Sequence, residues 1–148
     1  MQEVTGNIWK LEGDWIVIPT NGFVKTNGEC VMGRGLAYQA NKKYSNLSYL
    51  LGSLIKVEGN HVHLFKYFHL ITFPVKHNWW EDADLDLIDL SCQNLLELAN
   101  DELLTKTRIL VPRVGCGNGK LLWSVVKPIL EKYFTDDRFI VVSMPGDE

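Results

Sequence analysis

Four short runs of β-branched and aromatic residues constrain this chain most: Trp15-Ile16-Val17-Ile18-Pro19, Phe68 to Val75, Ile109-Leu110-Val111-Pro112 and Phe139-Ile140-Val141-Val142. Apolar residues dominate them instead of alternating with polar ones, so they read as strands covered on both faces. Helical patterns separate them. From Leu85 through Ile88, Cys92, Leu95 and Ala99 to Leu103 the spacing is three or four, and Glu81, Asp82 and Asp84 supply negative charge where a helix begins. Ser124 to Phe134 and Leu36 to Tyr44 read as two further helices. Leu54-Ile55-Lys56-Val57 and His61-Val62-His63-Leu64-Phe65, joined across Glu58-Gly59-Asn60, read as an edge hairpin. The expectation is an α/β fold: a three-layer α/β/α sandwich with a central mixed sheet.

The sequence holds 148 residues, 46% of them apolar, with no repeat or Pro/Ser-rich linker, so residues 1–148 are expected to form one domain. No window approaches the roughly 20 apolar residues of a membrane helix. Met1-Gln2-Glu3-Val4-Thr5 has no signal-peptide pattern, which gives the expectation of a soluble, cytoplasmic protein. Cys30, Cys92 and Cys116 show neither a CxxC nor a zinc-ligand spacing and read as reduced thiols. Fifteen Lys plus Arg against eighteen Asp plus Glu gives a net charge of −3, which disfavours general electrostatic capture of nucleic acid. An anionic ligand would have to be held by local geometry.

In open α/β sheets ligands bind beyond the carboxyl ends of the strands. Three segments fall there. Thr20-Asn21-Gly22-Phe23 leads towards Cys30-Val31-Met32-Gly33-Arg34-Gly35-Leu36-Ala37; Phe73-Pro74-Val75-Lys76-His77-Asn78 follows a second strand; Val114-Gly115-Cys116-Gly117-Asn118-Gly119-Lys120-Leu121 follows a third. Closely spaced glycines let successive backbone N–H groups point into one concavity, and a following helix adds its positive end. Two such loops are suited to gripping a diphosphate. Neither loop fits a Walker A motif, since Lys120 precedes Leu121, and neither fits GxGxxG.

Each feature has a plainer reading. A single glycine usually serves a tight turn, and most lysines, Lys76 included, are solvated. His61 and His63 share one face of the expected hairpin strand and read as two exposed polar residues in preference to a metal pair. Trp79-Trp80 reads as a surface-packed loop or a partner patch in preference to a base-stacking platform.

Together these segments resemble the macrodomain family, α/β/α modules that bind ADP-ribose. The match runs from Gly6-Asn7-Ile8 to the strand at Phe139 to Val142. It is strongest in Cys30 to Ala37 and in Pro112-Arg113-Val114-Gly115-Cys116-Gly117-Asn118-Gly119-Lys120-Leu121-Leu122-Trp123. These look like the branch holding the terminal ADP-ribose protein glycohydrolase and the DNA ADP-ribosyl glycohydrolase antitoxin. Phe73-Pro74-Val75-Lys76-His77-Asn78-Trp79 resembles the antitoxin segment that carries a catalytic lysine.

The resemblance implies catalytic roles for Lys76 and Asn21, with Asn21 beside the distal ribose and Lys76 facing its anomeric carbon. It implies ligand contacts from Asn7, Ile8, Thr20, Met32, Gly33, Arg34, Gly35, Leu36, Ala37, Val114, Gly115, Cys116, Gly117, Asn118, Gly119 and Leu121. Where family members place an aspartate for the adenine amino group, this chain has Asn7, which accepts the bond without supplying charge. The protein-directed enzyme has an aspartate in its glycine loop, whereas Asn118 and Gly119 stand here, which favours the DNA-directed type. Trp80 occupies the region where the antitoxin carries an arginine. The extra C-terminal region with which antitoxins hold their toxin does not figure in the match, so direct toxin binding is not expected.

The implied function is hydrolytic removal of ADP-ribose from a modified macromolecule, with DNA favoured, and with neither metal nor cofactor beyond ADP-ribose as ligand or product. Two alternatives remain open here. One is a binding module that cleaves nothing; the other is a phosphatase or deacylase acting on ADP-ribose 1″-phosphate or O-acyl-ADP-ribose.

Overall fold

The computed structural model describes residues 1–101 and 106–147. Six strands form one sheet: β1 (Gln2–Thr5), β2 (Trp15–Asn21), β3 (His63–Phe65), β4 (Leu70–Lys76), β5 (Ile109–Pro112) and β6 (Phe139–Ser143). Their order across the sheet is β1-β6-β5-β2-β4-β3. All neighbours pair in parallel except β3 with β4, so the sheet is mixed, as expected. Four helices complete the chain: α1 (Gly35–Lys43), α2 (Leu47–Glu58), α3 (Leu85–Asp101) and α4 (Trp123–Tyr133).

The period-two geometry of a strand explains why the central runs are apolar throughout. Val17, Ile71, Phe73, Val75, Ile109, Val111, Phe139 and Val141 enter one core with Ile88, Cys92, Leu95 and Ala99 of α3 and Val126 and Leu130 of α4. On the opposite side Ile18 and Leu70 pack with Met32, Ala40 of α1, and Leu47 and Leu51 of α2. Leu110, Ile140 and Val142 enclose Ile8 on that side of the sheet. Each central strand thus serves two cores, which is the three-layer arrangement read from the sequence.

The expected hairpin is corrected. Leu54 to Val57 lies within α2, and Gly59, at φ +91°, ends that helix with its N–H donating to the Ile55 carbonyl at 2.8 Å. A short apolar run does not by itself distinguish strand from helix; Leu47 and Leu51, buried one turn apart, begin the stripe that decides it. The true partner of β3 is β4, through the turn at residues 66–69. His63 is accordingly buried, with Nδ1 3.3 Å from Glu58 Oε2 and Nε2 3.2 Å from the Gly59 carbonyl, while His61 is exposed. The helix expected from Leu85 to Leu103 begins where placed and is described as far as Asp101; Leu103 lies outside the described residues.

α2 also holds the chain that leads to the first glycine loop. Ser48 Oγ donates to Glu29 Oε2 at 2.8 Å, and the Cys30 N–H donates to the Ser48 carbonyl at 2.9 Å. A β-carbon on Gly52 would fall 2.0 Å from the Gly28 carbonyl oxygen, so glycine alone permits this approach.

Candidate functional site

Because β1, β6, β5, β2 and β4 run parallel, their carboxyl ends share one edge. That edge presents Asn7 after β1, Val114 to Leu121 after β5, Asn21 at the end of β2 and Lys76 at the end of β4. Asn21 and Lys76, 55 positions apart in sequence, are register partners across a local irregularity in the β2–β4 pairing.

The two glycine loops meet. A β-carbon on Gly35, at φ +59°, would lie 3.1 Å from Asn118 Nδ2, whereas β-carbons on Gly33 and Gly117 would find no atom within 4 Å. Contact lies between the loops and open space lies above them. Among the described residues, the amides of Gly33, Arg34, Gly117, Asn118 and Gly119 donate to no protein group. Gly35, Leu36 and Ala37 occupy the first turn of α1, where amides have no intrahelical acceptor. The result is a set of unpartnered N–H donors and a helix N-terminus where the two loops meet, a combination suited to an oxyanion.

The second loop is shaped by its own bonds. Leu121 N–H donates to the Gly115 carbonyl at 3.0 Å, Lys120 N–H to Gly117 at 3.1 Å, and Ala83 N–H to Gly119 at 2.9 Å. The last of these ties the loop to the segment before α3. Gly115, at φ +77°, and Gly119 are held too closely for a side chain; a β-carbon on Gly119 would stand 2.4 Å from the Gly115 carbonyl oxygen.

Not every expected contact residue presents a side chain. Ile8, Thr20, Met32 and Val114 are buried, so they contribute backbone and shape, while Leu36, Ala37, Cys116 and Leu121 are half-buried and Arg34 is exposed. Asn7 Oδ1 accepts the Trp9 N–H at 3.0 Å, leaving its second lone pair and the amide N–H groups for a ligand. Asn21 Nδ2 donates to the Val31 carbonyl and Oδ1 accepts the Phe23 N–H, both at 2.9 Å. Its first task is therefore to pin the start of the loop that reaches Gly33, and one N–H of its amide remains over.

Lys76 is positioned by residues that sequence reasoning did not single out. Its carbonyl accepts the Gly22 N–H at 3.2 Å and Asn60 Nδ2 at 3.1 Å, and its ammonium donates to the Trp79 carbonyl at 3.3 Å. Desolvation lowers the pKa of this amine from its ordinary 10.5; Asp82 opposes that, while the Lys120 and Arg34 cations add to it. Burial pushes the Cys30 thiol up to about 12 and raises Cys92 and Cys116, so all three remain protonated thiols near neutral pH. Trp79 and Trp80, 51% and 59% exposed, lie on the surface in the turn whose Trp79 carbonyl accepts from the lysine, and Trp80 packs on Phe23.

Two shallow depressions of about 260 and 280 Å³ open elsewhere, beside β3, lined by residues such as His61, Val62, Asn94, Glu97 and Leu98, and Leu54, Glu58 and His63. Neither includes a glycine-loop residue. Among the described residues no three His, Cys, Asp or Glu side chains form a metal cluster, and no helix is long and apolar enough to cross a membrane.

No protein-family profile matches the sequence. Among solved structures, the Mycobacterium tuberculosis DarG macrodomain superposes with a TM-score of 0.82 at 24% identity, covering 98% of this chain and 97% of that one. The chain has the macrodomain fold. A Thermosipho africanus DarTG structure in complex with ADP-ribose superposes with a TM-score of 0.83 at 21% identity, over 99% of this chain and 42% of that one. An Oceanobacillus iheyensis macrodomain mutant superposes with a TM-score of 0.65 at 18% identity, over 96% of this chain and 82% of that one. Curated proteins from Mycobacterium bovis and Mycobacterium tuberculosis, each named DNA ADP-ribosyl glycohydrolase, are 28% identical to this chain over 134 residues. The match takes in 82% of this chain, which spans 37% of their length.

Proposed function

We propose that this macrodomain binds ADP-ribose along the carboxyl edge of its sheet and removes it hydrolytically from modified DNA. One observation carries the reading: two glycine loops with unpaired amides meet at Gly35 and Asn118, on the same edge as Lys76. The names of the 28%-identical relatives supply the DNA carrier and the glycosidic linkage.

In this reading the loop amides hold the diphosphate and so fix the distal ribose against Lys76, and positioning of this kind supplies a large part of a barrier reduction. Neutral Lys76 attacks the anomeric carbon. The bond from that carbon to the base breaks, the electron pair leaves with the base, and the proton released by the amine goes to the same leaving group. Water then hydrolyses the Nζ–carbon bond, returning the amine and free ADP-ribose. Desolvation favours the neutral amine needed for the first step, whereas a bound diphosphate favours the ammonium. Asn21 acts chiefly by holding the loop to Gly33, and its remaining N–H is available to the distal ribose.

The test is a substrate panel with and without Lys76→Ala: DNA modified on thymine and on guanine, protein modified on glutamate, and ADP-ribose 1″-phosphate. Release from DNA by the parent, lost in the variant while free ADP-ribose still binds, is the expected result. Binding without release on every substrate would make the protein a recognition module. Turnover of the 1″-phosphate alone would move it to small-molecule chemistry.

A further inference from the structure

Trp79 and Trp80 are held in an exposed position by a defined turn. Asn78 N–H donates to Glu81 Oε1 at 2.8 Å, Glu81 N–H donates to the Asn78 carbonyl at 3.2 Å, and the Lys76 ammonium sits on the Trp79 carbonyl. The two indoles meet edge to face, with centroids 5.6 Å apart and planes at 90°. Trp80 is braced from its other neighbour by Phe23, at 5.5 Å and 69°. Phe23 in turn is fixed through its N–H to Asn21, the register partner of Lys76. With these contacts made, Trp80 is still 59% exposed, so much of a large aromatic side chain faces solvent in the turn whose Trp79 carbonyl holds the Lys76 amine.

We propose that Trp80, braced by Phe23 and flanked by Trp79, stacks an unpaired nucleobase of the strand that carries the ADP-ribose. The inference rests on the reading of the carboxyl edge as an ADP-ribose site and extends it to the leaving group. That group emerges at the anomeric carbon, on the Lys76 side of the opening, where the indoles lie. Aromatic faces accept any base, and base–aromatic stacking does not need a basic groove along a duplex. The Lys120 and Arg34 cations lie close enough to Lys76 to disfavour its charge, and together the three offer attraction to a phosphate backbone beside the tryptophans. Glu81 and Asp82 follow the tryptophans directly, Asp82 near enough to act on Lys76, and carboxylates there oppose a duplex with its two phosphate backbones more than a single strand.

The experiment compares the parent, Trp80→Ala and Trp80→Phe, using a short single-stranded oligothymidylate, the same sequence as a duplex, and free ADP-ribose as probes. Trp80→Ala should weaken single-strand binding roughly 5- to 150-fold. Trp80→Phe should restore most of it, and free ADP-ribose should bind all three alike. The duplex should bind weakly and show no dependence on Trp80. Equal single-strand affinity for the parent and Trp80→Ala, or no binding of the strand to the parent, overturns the inference while a positive ADP-ribose titration leaves the site reading intact. A parent that fails to bind ADP-ribose overturns both. Equal loss of strand and ADP-ribose binding in Trp80→Ala would make the tryptophan a support of the loop, against the proposal.

Discussion

Gly33 and Gly119 sit in the two loops but answer to different constraints, and exchanging each for a larger residue separates ligand binding from folding. At Gly33 the φ angle is outside the left-handed region and a β-carbon meets nothing within 4 Å, so Gly33→Leu places its side chain in open space. Loss of glycine flexibility in the unfolded chain offsets small surface costs, and stability should stay within about 1 kcal/mol of the parent. If the diphosphate occupies that space, the leucine breaks at least one charge-assisted amide–phosphate bond. At about 1.5–3 kcal/mol each, the loss of one raises Kd roughly 10- to 150-fold. Gly119→Ala should behave in the opposite way. Its β-carbon would be 2.4 Å from the Gly115 oxygen and 2.8 Å from Ala83 Cβ, so loop backbone must move. Overpacking of this kind costs about 1–3 kcal/mol. At roughly 2–4 °C per kcal/mol for a domain of this size, Tm should fall by about 2–12 °C. Thermal denaturation of both variants, with calorimetric titration of ADP-ribose into each, reads the two effects. A Gly33→Leu protein that folds like the parent and binds ADP-ribose with unchanged Kd would refute placement of the diphosphate against that loop.

Other consequences follow from the titrating groups. The Lys76 amine has a pKa below the ordinary 10.5 in the free protein, so kcat/KM on modified DNA should rise with pH and level off below that value as the ammonium loses its proton. The bound diphosphate favours the ammonium, which puts the corresponding limb of kcat at higher pH; a pH profile falling through alkaline pH would contradict a nucleophilic amine. Cys30 and Cys92 are buried and Cys116 is half-buried, so an alkylating reagent at mildly alkaline pH should label Cys116 first. Saturating ADP-ribose should slow that labelling severalfold, read by mass spectrometry; labelling of Cys116 indifferent to the nucleotide would argue against a ligand over the second loop.

The central sheet was legible because it is buried on both sides. Ile109 to Val111 and Phe139 to Val142 serve two cores at once, and only a covered strand carries apolar residues in that density. β1 left no such trace: Gln2, Glu3, Val4 and Thr5 are all exposed, and the strand exists through its backbone pairing to β6 at the sheet edge. Leu54 to Val57 misled because four residues are too few to separate a period of two from one of 3.6. At the site, glycine spacing and strand ends pointed to the loops, and Lys76 stood out through its resemblance. The contacts that position the lysine did not. Asn60 reaches the Lys76 carbonyl from 16 positions away, and Ala83 bonds Gly119 from the segment before α3, distances in sequence that local pattern does not encode. The packing of Trp80 on Phe23, 57 positions earlier in the chain, was equally hidden.

Backbone amide chemical shifts followed during titration with free ADP-ribose test the convergence of the two loops most directly. The account predicts that the amides of Gly33 to Ala37 and of Gly115 to Gly119 shift together, with Asn7 and Ile8, along one saturating isotherm. Shifts confined to one loop, or clustered around His61, Asn94 and Glu97 beside β3, would contradict it.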